Sequence, residues 1–254
     1  MKPLLAFLTA AMVVALEPGY CFAQELVVLK AIFRYKIDFP IHTIIVRDDK
    51  LCTGEGNDLV VRQASNGAEV MRSAGHAESV TKVCSVTSDS LATGGMDKKV
   101  LIHRLRAKER DVVLTLEKPV TSLSYCAARG TLICGDSGGT ITEIDLKTRK
   151  VVNEYSIEGA ITLAEVVAPN QTLIVTNLHL QNSIVGYVAV VDERKKATIV
   201  EKRFDSLIKS VHLHSGNKLL IGNEQGEVTI LAIPSLKEEW KKKSIPDIQE
   251  LIKE

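Results

Sequence analysis

The chain has 254 residues and an almost balanced charge, because 32 lysines and arginines oppose 31 aspartates and glutamates for a formal net charge of +1. This balance argues against an electrostatic nucleic-acid footprint. Aromatic residues make up only 4% of the chain, which gives little support for a sugar-stacking surface. The sequence contains no phosphate-binding loop, metalloprotease helix, Cys-x-x-Cys pair or haem attachment motif. Composition and motifs together favour a protein that is not an enzyme and uses no cofactor.

The first 23 residues are predicted to be a signal peptide. Lys2 gives a basic start, and residues 4–16 form an apolar run that is too short to span a bilayer. Ala23 then offers a small residue for cleavage before Gln24. An uncleaved membrane anchor and a buried strand are the alternatives. We therefore expect a periplasmic protein whose mature part, residues 24–254, is one domain without a membrane span.

A tetrapeptide close to Leu-x-x-Gly returns about every 40 residues along the mature chain. Its five copies are Leu51–Gly54, Leu91–Gly94, Leu132–Gly135, Leu173–Thr176 and Leu219–Gly222. A strand-like phrase precedes each copy, and a polar turn follows it. An alternating apolar run comes next, as in Lys99–Leu105, and alternation with period two indicates a strand. Four short strands in each unit of about 40 residues are typical of a β-propeller blade.

The two ends of the chain are predicted to complete the ring. Five full blades occupy about residues 40–246, and residues 24–38 and 247–254 add further apolar segments on either side. A sixth blade built from both termini would leave no free sheet edge. A terminal helical turn is the alternative for residues 248–254. The predicted fold class is all-β, a single propeller of about six four-stranded blades, with five or six blades left open.

Two features of the second repeat resemble the WD40 family. Gly75-His76 precedes the strand-like phrase Ser79-Val80-Thr81 as the Gly-His of that repeat does, and Asp97 lies in the turn where the family usually has an aspartate. No Trp-Asp dipeptide closes any of the third strands. The resemblance implies a WD40-like propeller, expected to be a monomer, that acts as a scaffold and binds another protein through its top face.

In size, export signal and lack of cofactor motifs, the chain is also similar to small periplasmic propellers that are accessory to nitrate reductase systems. This resemblance implies a role in assembling or maintaining a respiratory complex. Two alternatives stay open at this point. One is an enzymatic, metal-binding or small-ligand-binding propeller that uses its central channel, and the other is a cytoplasmic WD40 scaffold.

Two of the cysteines of the mature chain are candidates for a disulfide. Cys126 and Cys134 lie on the first two strands of one blade, on either side of a turn at Arg129-Gly130. A three-residue loop would place the two cysteines directly opposite each other. A two-residue loop would place them on opposite faces and forbid the bond, since side chains alternate along a strand.

The segment Gly135–Gly139 matches the nucleophile signature of chymotrypsin-like proteases, in which a serine needs a histidine base and a buried aspartate. None of the histidines that precede Ser137 has the sequence context of that family. In the repeat register, the segment falls where other blades have turns rich in glycine and asparagine. We therefore predict a β-turn here and no catalytic residue.

His212 and His214 are the candidate metal ligands. They lie two residues apart on a predicted strand, so both side chains face the same side, where two imidazoles can chelate a transition metal. We nevertheless expect a pair of core or channel histidines and no metal site, since no acidic residue or cysteine has suitable spacing nearby.

The fourth blade is longer than the others, and the excess lies at Asn177–Ser183, after its second strand. Loops at this position open on the face of a propeller where partners commonly dock, and extended loops on a rigid scaffold often carry function. The sequence therefore predicts a partner-binding loop with His179, Gln181 and Asn182 as contact residues. A neutral insertion is the alternative.

Overall fold

The computed structural model describes residues 41–180, 183–214 and 217–243, which form twenty β-strands and no helix. Blade 1 contains β1 (Ile41–Arg47), β2 (Lys50–Glu55), β3 (Asp58–Gln63) and β4 (Glu69–Ala74). Blade 2 contains β5 (Val80–Thr87), β6 (Ser90–Gly95), β7 (Lys99–Arg104) and β8 (Glu109–Thr115). Blade 3 contains β9 (Val120–Cys126), β10 (Thr131–Asp136), β11 (Thr140–Asp145) and β12 (Lys150–Ser156). Blade 4 contains β13 (Ala160–Ala168), β14 (Gln171–Leu180), β15 (Ser183–Asp192) and β16 (Ala197–Phe204). Blade 5 contains β17 (Ile208–His214), β18 (Lys218–Asn223), β19 (Glu227–Ala232) and β20 (Lys237–Lys243).

Each blade is a four-stranded antiparallel sheet in which neighbouring strands follow one another in the chain. The hairpin turns use residues that tolerate a left-handed backbone, such as Asn170 (φ 58°) and Asn217 (φ 63°). The predicted all-β propeller with four-stranded blades is thus confirmed, with five blades among the described residues. The predicted signal peptide, and the sixth blade built from both termini, lie outside the described residues.

The core of the propeller lies between the blades. Each pair of successive blades encloses its own apolar cluster, for example Cys52, Leu59, Val80 and Leu91 between blades 1 and 2. The other three clusters lie between blades 2 and 3, 3 and 4, and 4 and 5. Among the described residues, no such cluster joins blade 5 to blade 1.

Two positions that recur in each blade line every one of these interfaces. The first, which we call the third-strand position, lies on the third strand, opposite the second residue of the repeated tetrapeptide in its aligned register. Its side chain faces the next blade. The residues at this position in blades 1 to 4 are Val61, Ile102, Glu143 and Val190. The second, the docking position, follows the third strand and packs against the preceding blade; it is held by Leu105, Leu146, Glu193 and Ile233 in blades 2 to 5. The backbone N–H at each docking position donates to a carbonyl in the turn between the first and second strands, which identifies the four residues as equivalents.

The register of blade 4 corrects one detail of the predicted repeat. Ile161 pairs with Thr176 as Val80 pairs with Gly95, so Val175 occupies the position of Gly94. The copy at Leu173–Thr176 is therefore one residue out of register, and residues 172–175 are the equivalents. Sequence spacing missed the shift because blade 4 has no glycine at this position to mark it.

The missing glycine coincides with a different contact between blades 4 and 5. In blades 1 to 3 the glycine lets the first strand of the next blade approach closely, since a Cβ on Gly94 would lie 2.4 Å from a methyl carbon of Val120. In blade 4 the close approach moves to the third strand, where a Cβ on Gly186 would lie 2.6 Å from Cγ1 of Ile208. Strand β17 accordingly contacts β14 and β15, whereas the first strands of blades 1 to 4 contact one another.

Candidate functional site

The hairpin of β14 and β15 is the candidate binding site. Both strands have ten residues, whereas the second and third strands of the other blades have six. Their pairing continues without interruption to Leu180 opposite Ser183. The predicted loop at Asn177–Ser183 is therefore largely an extension of the sheet, formed because the apolar residues of both strands stay in register. Gln181 and Asn182 lie outside the described residues.

The base of this hairpin is fixed to blade 5. The Asn177 side chain donates from Nδ2 to the Ile208 carbonyl at 3.1 Å and accepts from the Ile208 N–H at 2.9 Å. The N–H of Gly186, which pairs with Asn177, donates to the Ser206 carbonyl at 3.0 Å. One side chain and two backbone segments thus hold the base in place.

The opposite side of the hairpin packs on blade 3. Leu178 is buried and Val185 is partly buried in the apolar cluster between blades 3 and 4. Because these two residues pair with each other, their side chains lie on the same face. The base of the hairpin is therefore held by both neighbouring blades.

The tip exposes a small amphipathic surface. Leu180 is 44% exposed and Ile184 is 37% exposed. His179, the predicted contact residue that the structure describes, is exposed on β14 directly opposite Ile184. Because side chains alternate along a strand, His179 and Ile184 share one face of the hairpin and Leu180 lies on the other. The tip therefore offers apolar contact on both faces and a hydrogen-bonding imidazole on one.

A chain of largely buried polar groups lies in blade 2 and reaches Ser73 on β4 of blade 1. The Asp97 carboxylate accepts from Nδ1 of His76 at 2.8 Å, and Nε2 of His76 lies 2.8 Å from the Thr93 hydroxyl. That hydroxyl lies 2.8 Å from Nε2 of His103, whose Nδ1 lies 2.9 Å from the hydroxyl of Ser73. His76 and Asp97, the residues that carry the WD40 resemblance, are thus joined directly. Thr93 and His103 escaped the sequence analysis because only the pairing of β6 with β7 brings them together.

The blade 2 network is a structural element of neutral or fully paired groups. Burial lowers the pKa of His103 to about 4, with a smaller effect from the nearby charges of His76 and Arg110. His103 is therefore neutral near pH 7. Gly95 is required beside the network, because a Cβ there would lie 2.4 Å from Nδ1 of His76 and 2.6 Å from Oδ1 of Asp97.

The predicted disulfide between Cys126 and Cys134 is wrong. Both thiols are free, and the register pairs Cys126 with Thr131 and Cys134 with Leu123. Four residues, not three, separate β9 from β10. Cys134 consequently lies three residues, about 10 Å, along the strand from the position opposite Cys126, which exceeds the reach of a disulfide.

Burial also makes the cysteines poor nucleophiles. It raises the pKa of Cys84 to about 12 and the pKa of Cys52 and Cys134 above the ordinary thiol range. Since the thiolate is the reactive form, these three thiols are inert near neutral pH.

The segment Gly135–Gly139 is a turn, as predicted. Asp136 ends β10 and is buried, and its Oδ1 accepts from the N–H groups of Gly138 at 2.8 Å and Thr140 at 2.9 Å. Gly139 has a φ of 93°, which a glycine adopts without strain. The aspartate of the apparent protease signature therefore stabilises the connection from β10 to β11.

His212 and His214 lie together on β17, with ring centroids 6.2 Å apart and ring planes inclined at 44°. His212 pairs with Leu220, which lies outside the cluster shared with blade 4, so this face of blade 5 turns away from blade 4. Within the part of the chain that the structure describes, no group of three or more His, Cys, Asp or Glu side chains is arranged to hold a metal ion. The expectation of a core or channel histidine pair, with a metal site as the alternative, stays a prediction.

None of the described segments contains a helix that is long and apolar enough to cross a membrane.

Neither the family models nor the curated proteins compared with this sequence give a match.

Solved structures do match. A chain of the mitotic checkpoint complex superposes with a TM-score of 0.69 at 12% identity, over 85% of this chain and 68% of that chain. The structure of U3-55K gives a TM-score of 0.68 at 13% identity, over 82% of this chain and 66% of that one. The WD40 domain of Toxoplasma gondii coronin gives 0.66 at 13% identity, over 77% and 56%. This chain thus spans between about half and two thirds of the length of these structures. It has the WD40 β-propeller fold.

Proposed function

We propose that this chain is a non-catalytic scaffold that binds another protein through the tip of the β14–β15 hairpin. The observation that carries the proposal is a hairpin with a fixed base and exposed apolar side chains towards its end. Asn177 and Gly186 fix the base to blade 5, while Leu180 and Ile184 stay uncovered among the described residues. Function on a rigid scaffold is usually carried by elements that extend from it, and such an element binds a partner with little loss of conformational entropy.

The finer parts of the proposal come from the sequence. An N-terminal signal peptide would export the chain, and a periplasmic location would give it a partner such as a nitrate reductase or the machinery that assembles it. One of the similar structures belongs to a multi-protein complex, the mitotic checkpoint complex, which gives the scaffold role a precedent in this fold. The proposed scaffold is a monomer that uses no cofactor.

The test is cross-linking of the tagged full chain in its native host, followed by mass-spectrometric identification of the partner and a binding measurement with the purified partner. A Leu180→Asp/Ile184→Asp variant should bind the partner at least about tenfold more weakly, since it places two charges in an apolar contact. Val112→Asp on the outer strand of blade 2 is the control, because Val112 is also largely exposed and lies two blades away. Equal loss in both variants, or unchanged binding by the hairpin variant, would contradict the proposal.

A further inference from the structure

A groove of about 330 Å³ lies between blades 2 and 3, at the end of the strands opposite the β14–β15 hairpin. Its floor is apolar and consists of side chains from both blades, namely Val86, Ile102, Val113, Tyr125 and Leu146. These residues are only partly buried at the edge of the cluster between the two blades. The groove thus combines apolar surface with access to solvent.

At the third-strand position, the side chain of blade 2 is more exposed to solvent than its equivalents in blades 1, 3 and 4. Val61 and Val190, the equivalents of Ile102 in blades 1 and 4, are 2% and 0% exposed, and Glu143 in blade 3 is 6% exposed. Ile102 is partly exposed. The same backbone position is thus buried at three interfaces and partly exposed at this one.

The rim of the groove carries an excess of positive charge. Arg104 and Arg149, from the two different blades, both donate to Oδ2 of Asp111, at 2.7 Å and 2.9 Å. Hydrogen bonds from Arg104 and then Arg149 lower the pKa of that carboxyl group. Lys147 also lines the groove, so its lining holds three cations and one carboxylate. Glu109, outside the lining, pairs with Arg104 at 3.3 Å. Arg149 binds Asp111 through Nη2 alone, and Lys147 forms no ion pair within 4 Å among the described residues.

The mouth of the groove also has room for a chain. Gly130 lines it, and a Cβ built on Gly130 would meet no atom within 4 Å. Neighbouring residues therefore leave this side of the groove open to an approaching backbone.

We propose that this groove binds an acidic peptide segment in which an aliphatic or aromatic side chain is flanked by aspartate or glutamate. The apolar side chain enters the floor beside Ile102 and Tyr125, where its removal from water is favourable. The flanking carboxylates pair with the Lys147 ammonium group and with the N–H groups of Arg149 that Asp111 does not use, through charge-assisted hydrogen bonds. This surface is separate from the β14–β15 hairpin, so the chain would connect two different partners.

The experiment measures fluorescence anisotropy of a labelled peptide, Glu-Asp-Phe-Leu-Asp-Glu, with the full chain at low and high salt. The neutral peptide Gln-Asn-Phe-Leu-Asn-Gln is the matched control and should bind at least about tenfold more weakly, because it lacks the carboxylates. Binding of the acidic peptide should also weaken as salt rises. Equal affinity for the two peptides, or no binding of the acidic one, would overturn the proposal.

Two variants locate the site. Arg149→Glu reverses one charge at the rim and should weaken binding of the acidic peptide by about tenfold or more, whereas Arg203→Glu, at an arginine that is similarly exposed on blade 4, should leave it unchanged. Ile102→Phe fills the floor and should weaken both peptides. Circular dichroism melts of each variant check that it is folded. Unchanged affinity in a folded Arg149→Glu variant, or binding to phosphatidylglycerol vesicles in preference to the peptide, would overturn the proposal.

Discussion

Two interfaces of the propeller fill the same backbone positions with opposite chemistry. Between blades 1 and 2, the third-strand and docking positions hold Val61 and Leu105, which pack in one apolar cluster. Between blades 3 and 4, they hold Glu143 and Glu193, which are 6% and 8% exposed. Blades 4 and 5 use Val190 and Ile233 and so follow the apolar pattern.

A single arginine compensates the charge of the buried pair Glu143 and Glu193. Arg129, in the turn between β9 and β10, donates from one nitrogen to Glu143 at 3.2 Å and to Glu193 at 2.8 Å. The Thr131 hydroxyl donates to Glu143 at 2.6 Å, and the Thr172 hydroxyl donates to Glu193. The comparison shows that the blade geometry does not require an apolar contact here, provided that every buried carboxylate has a partner.

The largest expected effect comes from removing the arginine. Arg129→Met would leave two buried carboxylates without a cation, and we expect a loss of about 3–5 kcal/mol in the free energy of unfolding. Urea denaturation followed by circular dichroism measures it. Arg203→Met, which removes an exposed ion pair, is the control and should cost no more than about 1 kcal/mol. A similarly small loss for Arg129→Met would show that the ion pairs of Arg129 contribute little to the free energy of unfolding.

The histidine network of blade 2 extends the comparison, because there the buried ionisable side chain, His103, is uncharged near pH 7. Burial holds the pKa of His103 near 4, below its ordinary value of 6.5, so the unfolded chain takes up this proton first as pH falls. Stability from this residue is therefore complete above about pH 6.5 and is lost progressively towards pH 4, by about 3 kcal/mol in all. Urea midpoints between pH 7 and pH 4 test this, with His103→Gln as the control that should show a flatter profile. Parallel profiles for the two proteins would contradict the assignment.

Converting the acidic interface to the apolar pattern should have the smallest cost. The triple change Arg129→Met/Glu143→Ile/Glu193→Leu restores the residue types found at the other interfaces. Its expected loss is smaller than that of Arg129→Met, because no charge is left to desolvate and only the Thr131 and Thr172 hydroxyls lose their acceptors. The same urea measurement checks it against Arg129→Met. A triple variant as unstable as the single one would mean that shape, not charge, governs this interface.

The features that sequence reasoning predicted are local ones. The repeat near Leu132–Gly135, the turn at Gly135–Gly139 and the alternation of Lys99–Leu105 each depend on residues close together in the chain. The extra length of blade 4 was equally visible, although its conversion into paired strands was not. Blade 4 has Val175 where the other blades have the glycine of the tetrapeptide, and without that glycine the predicted register of the repeat was wrong by one residue. The disulfide prediction failed for a related reason, since the length of one turn decides which residues face each other.

By itself, the sequence determined the all-β class, the blade repeat and the turns that separate the strands, because these follow from side-chain alternation and turn chemistry over a few residues. Only the tertiary structure decided which side chains meet. Arg129 and Glu193 are separated by 64 residues, and Asn177 and Ile208 by 31. The openness of the groove at Ile102 was decided in the same way. Contacts between blades depend on how two sheets pack, and a period of about 40 residues specifies which blades are neighbours but not what fills the space between them.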